Sequence, residues 1–573
     1  MKLDRFSVRA RYLFPFSLGA GLLGVFILPF LFPPSRPIPS QSYVAGYNNR
    51  VALVSVILIS ILVALLSLRE NWLTPAKFGD EPSVSRRWLI GALMLVAAWN
   101  GGLSWLVFEA RNYAVEDFYF LPQLEKFYYR HLHLYRDLEF PYGQLLFYPP
   151  LWIHSLLAPF HTSLRASYYI ALMFHHFLGV GMLYFVVNRL PIPRAVRTAA
   201  FASITMFSVT PPLGPNYALL RYMLGIISFL LFSRIERPAA AAGAAALAEI
   251  LMWLDSPEEA FALGFAIAVY CCYRVWRQRT LLWLGPIAGT ACGAALYLVS
   301  VDPAVLSALK HMSGGSNNLV PQISLEVVTL LIATVWLVPR LVARHICRDT
   351  AEAPMLLGLY ALGLGLLPAS LGCSDIVHIT GNSAVLFLLS LVAVGEWKLP
   401  VRWLWTTTVT TTYLLMAARW CFDASPRFYP DILPAFERKL PSVGQPLDVA
   451  ALHAAIGDAP FATPFPMPEV LEEQLPQLPD FAPSYWSGTI ALWDDEAEQK
   501  KIAELRRVQW ALLPPGFPHL DQISPNLDEL LSVSTHYRAL HVVYSHALLN
   551  NEIAENWTPV GYIGNYVLFR RIR

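Results

Sequence analysis

Apolar residues gather in long runs separated by short polar turns, and each run approaches the about 20 residues that a helix needs to cross a hydrocarbon layer. Such stretches occur at 12–33, 49–68, 88–107, 167–189, 197–212, 216–234, 238–254, 259–276, 281–301, 324–343, 354–372, 382–397 and 401–418. The pattern predicts a polytopic α-helical membrane protein with about 13 transmembrane helices. Beyond residue 418 the pattern changes. Val508–Leu513 and Tyr562–Phe569 have strand-like β-branched and aromatic content, Glu496–Arg507 and Leu527–Leu549 have helical spacing, and the Pro-rich segment 422–480 reads as an irregular connector. The tail therefore predicts a C-terminal soluble α/β domain.

Lys and Arg resist translocation in short loops, so their distribution orients the spans. With the N-terminus inside, the cytoplasmic turns hold Arg69, Lys77, Arg86 and Arg87, then Arg189, Arg194 and Arg197, then Arg234 and Arg237. Arg274, Arg277 and Arg279 follow, then Arg340, Arg344 and Arg348, then Lys398 and Arg402. The alternation requires that one more apolar stretch, Leu145–Phe160, does not cross; it contains Pro149, Pro150, His154 and Pro159 and is expected to lie along the outer membrane surface. The expected division is an N-terminal membrane hairpin and cytoplasmic loop at 1–87, a transmembrane core at 88–418 with a first outer loop at 108–166, and an extracytoplasmic domain at 419–573. Lys2, Arg5, Arg9 and Arg11 before the first run give it the look of a signal, but its length and Pro-rich end predict an uncleaved span.

Composition agrees: 55% of the 573 residues are hydrophobic and 14% charged, against about 25% charged in soluble domains. A net charge of +2, dispersed in short turns, excludes a nucleic-acid footprint. Cys271, Cys272, Cys292, Cys347, Cys373 and Cys421 show neither CxxC nor Cys/His spacing, so they read as small buried hydrophobes, with no metal site and no disulfide framework.

Polar chemistry collects on the outer side. Glu116 and Asp117 follow directly after a span, where adjacent carboxylates can supply a general base while the partner positions a hydroxyl; a solvated loop acid is the plain alternative. WLDSPEEA at 253–260 offers Asp255 as a cavity carboxylate, while Ser256 and Glu259 have the spacing of a capping box. Arg221, just inside a span, and Lys310 with His311 are candidate functional cations on this side, with outward snorkelling the alternative for Arg221. His131, His133, His175 and His176 lack the i, i+4 spacing of a helical zinc pair.

The acidic pair after an early span, followed by YRDLEFPYGQLLFYPPL, resembles the first outer loop of the GT-C superfamily of polyprenyl-phosphate-sugar-dependent glycosyltransferases, in particular mannosyl- or arabinosyltransferase-like bacterial members. The resemblance covers about 50 residues specifically and the rest by layout of spans and outer domain. It implies that Asp117 or Glu116 is the catalytic carboxylate, and that Tyr135, Asp137, Tyr142, Gly143 and Pro149 shape the acceptor side of the cavity. GCSDIVHITGN is similar to an Arg-x-Asp-x-x-His element of such enzymes, with Asp375 and His378 in the matching places and Cys373 where an arginine stands.

The WWDYG element of oligosaccharyltransferases is absent, and PPLGPN lacks the second carboxylate of metal-dependent members. The resemblance thus implies an inverting monosaccharide transfer without a cofactor, in a bacterial inner membrane, from a lipid-linked sugar donor to an envelope glycan, lipid or protein acceptor, among membrane lipids. The competing readings are a transporter or flippase of a lipid-linked substrate, a catalytically inactive assembly subunit, and an O-antigen ligase or polymerase. No repeated half is seen, which weighs against a transporter, and the long loop comes early rather than late, which weighs against a ligase.

Overall fold

The computed structural model describes residues 4–34, 42, 45–68, 83–104, 121–136, 138, 140, 142–209, 216–306, 309, 318–372, 376–395, 397, 399–436, 447–463, 474, 478–479, 481–482, 499, 502–513 and 547–572. Each of the thirteen apolar stretches carries helix. By length and composition seven of the described helices can cross a membrane: Asn49–Ser67, Leu164–Arg189, Pro238–Asp255, Pro257–Gln278, Leu281–Ser300, Leu325–Cys347 and Ala353–Gly372. Leu13–Phe26, Ala218–Phe232 and Ala384–Gly395 are apolar but shorter.

Local chemistry sets where helices start. Asn48 accepts from the Arg50 N–H at 3.1 Å and Ser163 from the Ala166 N–H at 3.0 Å, each satisfying an otherwise orphan donor. Pro238 and Pro257 open their helices at positions that need no N–H. Helix packing then relies on small residues. A Cβ on Gly289 would lie 2.2 Å from the Ala242 carbonyl oxygen, and one on Gly293 2.5 Å from that of Ala246, so the Pro238–Asp255 and Gly285–Ser300 helices approach backbone to backbone. Buried polar side chains hold other pairs: Asn49 donates to the carbonyls of Leu319 at 2.8 Å and Leu371 at 2.9 Å.

The bundle has two chemically different ends. At one, Arg277 bonds Asp349 at 2.6 Å and the Thr350 carbonyl at 3.2 Å, Tyr184 donates to the Val84 carbonyl at 2.8 Å, and Gly395 rests on Pro193. At the other, Gly143 meets Asp255, Leu319 bonds Gly372 at 2.8 Å, and Gly381 packs on the Tyr222 ring. Arg277 and Asp349 belong to the first end, and Asp255, Glu258 and Glu259 to the second. The stretch Leu145–Phe160 forms the short helices Gln144–Phe147 and Pro149–Leu157; the second is roughly 14 Å long. Trp152, Leu156 and Phe160 are exposed along it.

Among the described residues the tail contains a five-stranded sheet in the order β2 (Phe481–Ala482), β1 (Phe461–Ala462), β3 (Trp510–Leu513), β5 (Tyr566–Arg571), β4 (Trp557–Ile563). β1 runs parallel to β2 and β3, while β5 is antiparallel to β3 and β4. Leu505, Ala511, Leu549, Ile553, Trp557 and Phe569 form one of its buried clusters. Three details differ from the sequence reading. Tyr562–Phe569 is not one strand but straddles a hairpin, because Gly564, at φ +57°, supplies the left-handed turn. The Pro-rich segment from 422 begins as helix, since Leu399–Phe436 is continuous; Pro426, Pro430 and Pro434 recur every four residues and so remove backbone donors from one helical face only. Cys271 is buried as expected, but Cys272, Cys292 and Cys347 are exposed, and the Cys347 thiol donates to the Leu68 carbonyl at 3.1 Å.

Candidate active site

The site builds outward from a chain reversal. The Pro238–Asp255 helix ends where Ser256 turns extended, at φ −151° and ψ 117°, and Pro257 starts the next helix at once. The reversal brings Asp255, Glu258 and Glu259 to the end of the Ala218–Phe232 helix, one turn into which sits Arg221. Arg221 is 4% exposed and forms an ion pair with Glu258. Its guanidinium also lies over the rings of Tyr142 at 4.8 Å and Tyr222 at 5.3 Å, a cation–π geometry. Asp255 and Glu259 are buried within its field.

Several polar atoms of this cluster have no hydrogen-bond partner among the described residues: Asp255 Oδ2, both Glu259 carboxylate oxygens, Ser256 Oγ and Arg221 Nε. The capping box expected from Ser256 and Glu259 does not form. Glu259 extends across Gly225 instead, where an added Cβ would come within 2.7 Å of Oε2, so the absence of a side chain on the neighbouring helix opens room for the carboxylate.

The described part of the 108–166 loop, from Leu121 on, meets this cluster at Tyr142 and Gly143. Its Leu121–Arg130 helix carries buried Gln123, Glu125 and Lys126, with Glu125 paired to Arg165 at 3.4 Å. Tyr129 packs against a hydrophobic cluster of the C-terminal domain, and Tyr128 meets His154 edge-on at 5.0 Å. Tyr135 is left-handed at φ +69°, an outlier for an aromatic residue. It is held there by its N–H to the Leu138 carbonyl at 2.8 Å and by its hydroxyl to the Tyr142 carbonyl at 2.8 Å. Burial pushes the Tyr135 hydroxyl pKa up, and neighbouring Tyr297 adds to the rise, so the phenol stays a donor. Gly143 then donates to the Asp255 carbonyl at 2.9 Å, and Tyr142 sits edge-on to Tyr217 at 5.5 Å.

Four of the sequence-predicted residues, Tyr135, Tyr142, Arg221 and Asp255, thus come together. His378 is half-buried on the Ile376–Asn382 helix, whose Gly381 lies against the ring of Tyr222, the neighbour of Arg221. Glu116, Asp117, Asp137, Lys310, His311 and Asp375 lie outside the described residues. The sequence reading missed Glu258 as the counter-ion of Arg221, Glu259 as a buried site acid, and Tyr217 and Tyr222 as its aromatic walls. One signal was available: an arginine inside a span requires an opposite charge at the same depth, and WLDSPEEA supplies it. Asn382, 1% exposed and with neither amide atom partnered among the described residues, carried no local signal.

Among the described residues no group of three or more His, Cys, Asp or Glu side chains could hold a metal ion. The cluster instead offers carboxylate acceptors and guanidinium donors between tyrosine faces, a combination that suits hydroxyl groups and a phosphate.

No family model matches the chain, and no curated protein does. Among solved structures, the chain is similar to the oligosaccharyltransferase of Archaeoglobus fulgidus, at 12% identity and a TM-score of 0.41, covering 75% of this chain and 68% of that one. It is also similar to the arabinofuranosyltransferase AftD from Mycobacteria, at 16% identity and a TM-score of 0.40, over 86% of this chain and 40% of that one.

Proposed function

We infer that the chain is a membrane glycosyltransferase of GT-C type, moving one sugar from a polyprenyl-phosphate donor to an envelope glycan, lipid or protein acceptor. The observation that carries this reading is the bond from Gly143 to Asp255, with Tyr142 over Arg221. It brings the segment that resembles the acceptor-shaping loop of such enzymes onto the buried Arg221 and its carboxylates. In this reading the chain crosses the membrane about 13 times. The arginine-bearing turns face the cytoplasm of a bacterial inner membrane, and Arg221, the 108–166 loop and the domain from 419 face outward.

Asp117, with Glu116 beside it, draws the proton from the acceptor hydroxyl as the sugar carbon is attacked and the lipid phosphate leaves. The departing charge is met by cations, for which Arg221, Lys310 and His311 are the candidates. Asp255, Asp137 and His378 orient hydroxyls, and Tyr135 and Tyr142 form the wall.

The deciding experiment is sugar transfer by the purified chain in nanodiscs, offered a panel of polyprenyl-phosphate sugars and a crude envelope-glycan acceptor, with Asp117→Asn alongside. Transfer that vanishes in the variant supports the reading. Folded protein that transfers no sugar overturns it in favour of a transporter or a catalytically inactive assembly subunit; the transporter reading draws on Glu249, a buried carboxylate within the Pro238–Asp255 span whose Oε2 has no partner among the described residues.

A further inference from the structure

The end of the bundle away from Arg221 carries its own cation cluster. The Leu325–Ile332 helix passes through a π-helical turn, Ala333–Leu337, into the Val338–Cys347 helix. Arg340, Arg344 and Arg348 follow at four-residue spacing, which puts them on one face. The Arg340 guanidinium is seated on the Trp336 ring at 4.1 Å, which fixes its direction. Asp349 turns instead to Arg277 of another helix at 2.6 Å. Arg348 Nη1 is buried with no hydrogen-bond partner among the described residues.

Between this face and the end of the Ala384–Gly395 helix lies a cleft with about 510 Å³ of empty space, counting its open mouth. Arg340, Arg344, Trp336 and Trp397 line it together with Leu341 and Ala393. The Asp4–Phe26 helix reaches the same place, since Phe14 meets Trp336 edge-on at 5.3 Å.

A free inorganic anion would need only the arginines. The cleft joins them to leucine, alanine and indole surface at the end of an apolar helix pair, a combination that matches a phosphodiester with hydrocarbon attached. We propose that this cleft binds the phosphate headgroup of an anionic phospholipid, with the adjoining glycerol and acyl carbons against Leu341 and Ala393. The guanidinium forks of Arg340 and Arg344 hold the phosphate, and Trp336 and Trp397 mark the depth at which headgroups lie. The site is separate from the Arg221 cluster and stands whether the chain transfers sugar or not.

The test uses the purified full chain in mild detergent, with phosphatidylglycerol, phosphatidylcholine or inorganic phosphate added and lipid retention counted by native mass spectrometry. The expected result is a preference for phosphatidylglycerol of about tenfold, reduced to near parity in Arg340→Gln/Arg344→Gln. Arg194→Gln/Arg237→Gln makes the same charge change elsewhere at this end and should leave the preference in place. Absence of any preference, or equal loss in both double variants, overturns the proposal. Displacement of the lipid by millimolar inorganic phosphate also overturns it, in favour of a free-anion site. Should the glutamine pair fail to fold, Arg340→Lys/Arg344→Lys keeps the charge but not the fork. A preference reduced severalfold in that variant supports the site, and an unchanged one overturns it.

Discussion

Gly143 donates its backbone N–H to the Asp255 carbonyl at 2.9 Å, and a Cβ at Gly143 would lie 2.1 Å from the Leu254 carbonyl oxygen. The loop and the helix end therefore meet backbone to backbone, an approach that glycine alone permits. Gly143→Ala should lift the loop off the cluster at a cost of about 1–3 kcal/mol. Hydrogen exchange in the full chain should show faster exchange across 132–148, and sugar transfer should fall with it; an unchanged exchange pattern contradicts this seating.

Arg221 is the cation facing Asp255, Glu258 and Glu259. Arg221→Gln leaves carboxylates buried without it and should destabilise the bundle by on the order of 3 kcal/mol. Arg221→Gln/Glu258→Gln should recover part of that loss. Thermal unfolding in detergent, read as a double-mutant cycle, checks both statements, and strict additivity would mean the pair does not interact.

Tyr135 holds a left-handed backbone through two hydrogen bonds, one of them from its hydroxyl to the Tyr142 carbonyl. Tyr135→Phe removes that bond at a cost of about 1 kcal/mol and frees the Tyr142 carbonyl. In the proposed assignment Tyr142 forms the acceptor wall, so transfer measured against acceptor concentration should show a raised acceptor KM with a smaller change in kcat.

Arg506 donates to Glu552 at 3.1 and 2.5 Å, and Asn556 donates to the same carboxylate at 2.9 Å. Burial pushes the Glu552 pKa up, but these bonds outweigh it and hold the group below the usual carboxylate range. A depressed folded value means the contribution is fully present above about pH 4.5 and is lost as pH falls through the folded value. Arg506 is half-exposed, so solvent screening keeps the contribution below about 1 kcal/mol. Glu552→Gln should flatten the acid dependence of C-terminal domain unfolding, followed by hydrogen exchange of 547–572 corrected for intrinsic rates.

The helices were legible in the sequence because a span is specified locally, by about 20 consecutive apolar residues that no tertiary contact has to supply. What met what was not. Tyr142, Arg221 and Asp255 are far apart in the chain, and only the packing of three helix ends joins them. Glu259 shows why local rules stop there: the spacing from Ser256 offered a cap, yet the cleared space over Gly225 on another helix took the side chain. The hairpin at Gly564 was missed because both strands have the same apolar and aromatic content, although Gly564 and Asn565 between them are a two-residue turn signal. Hydrophobic length is a property of a segment and can be read from it; a site is a property of the contacts between segments, decided by tertiary packing.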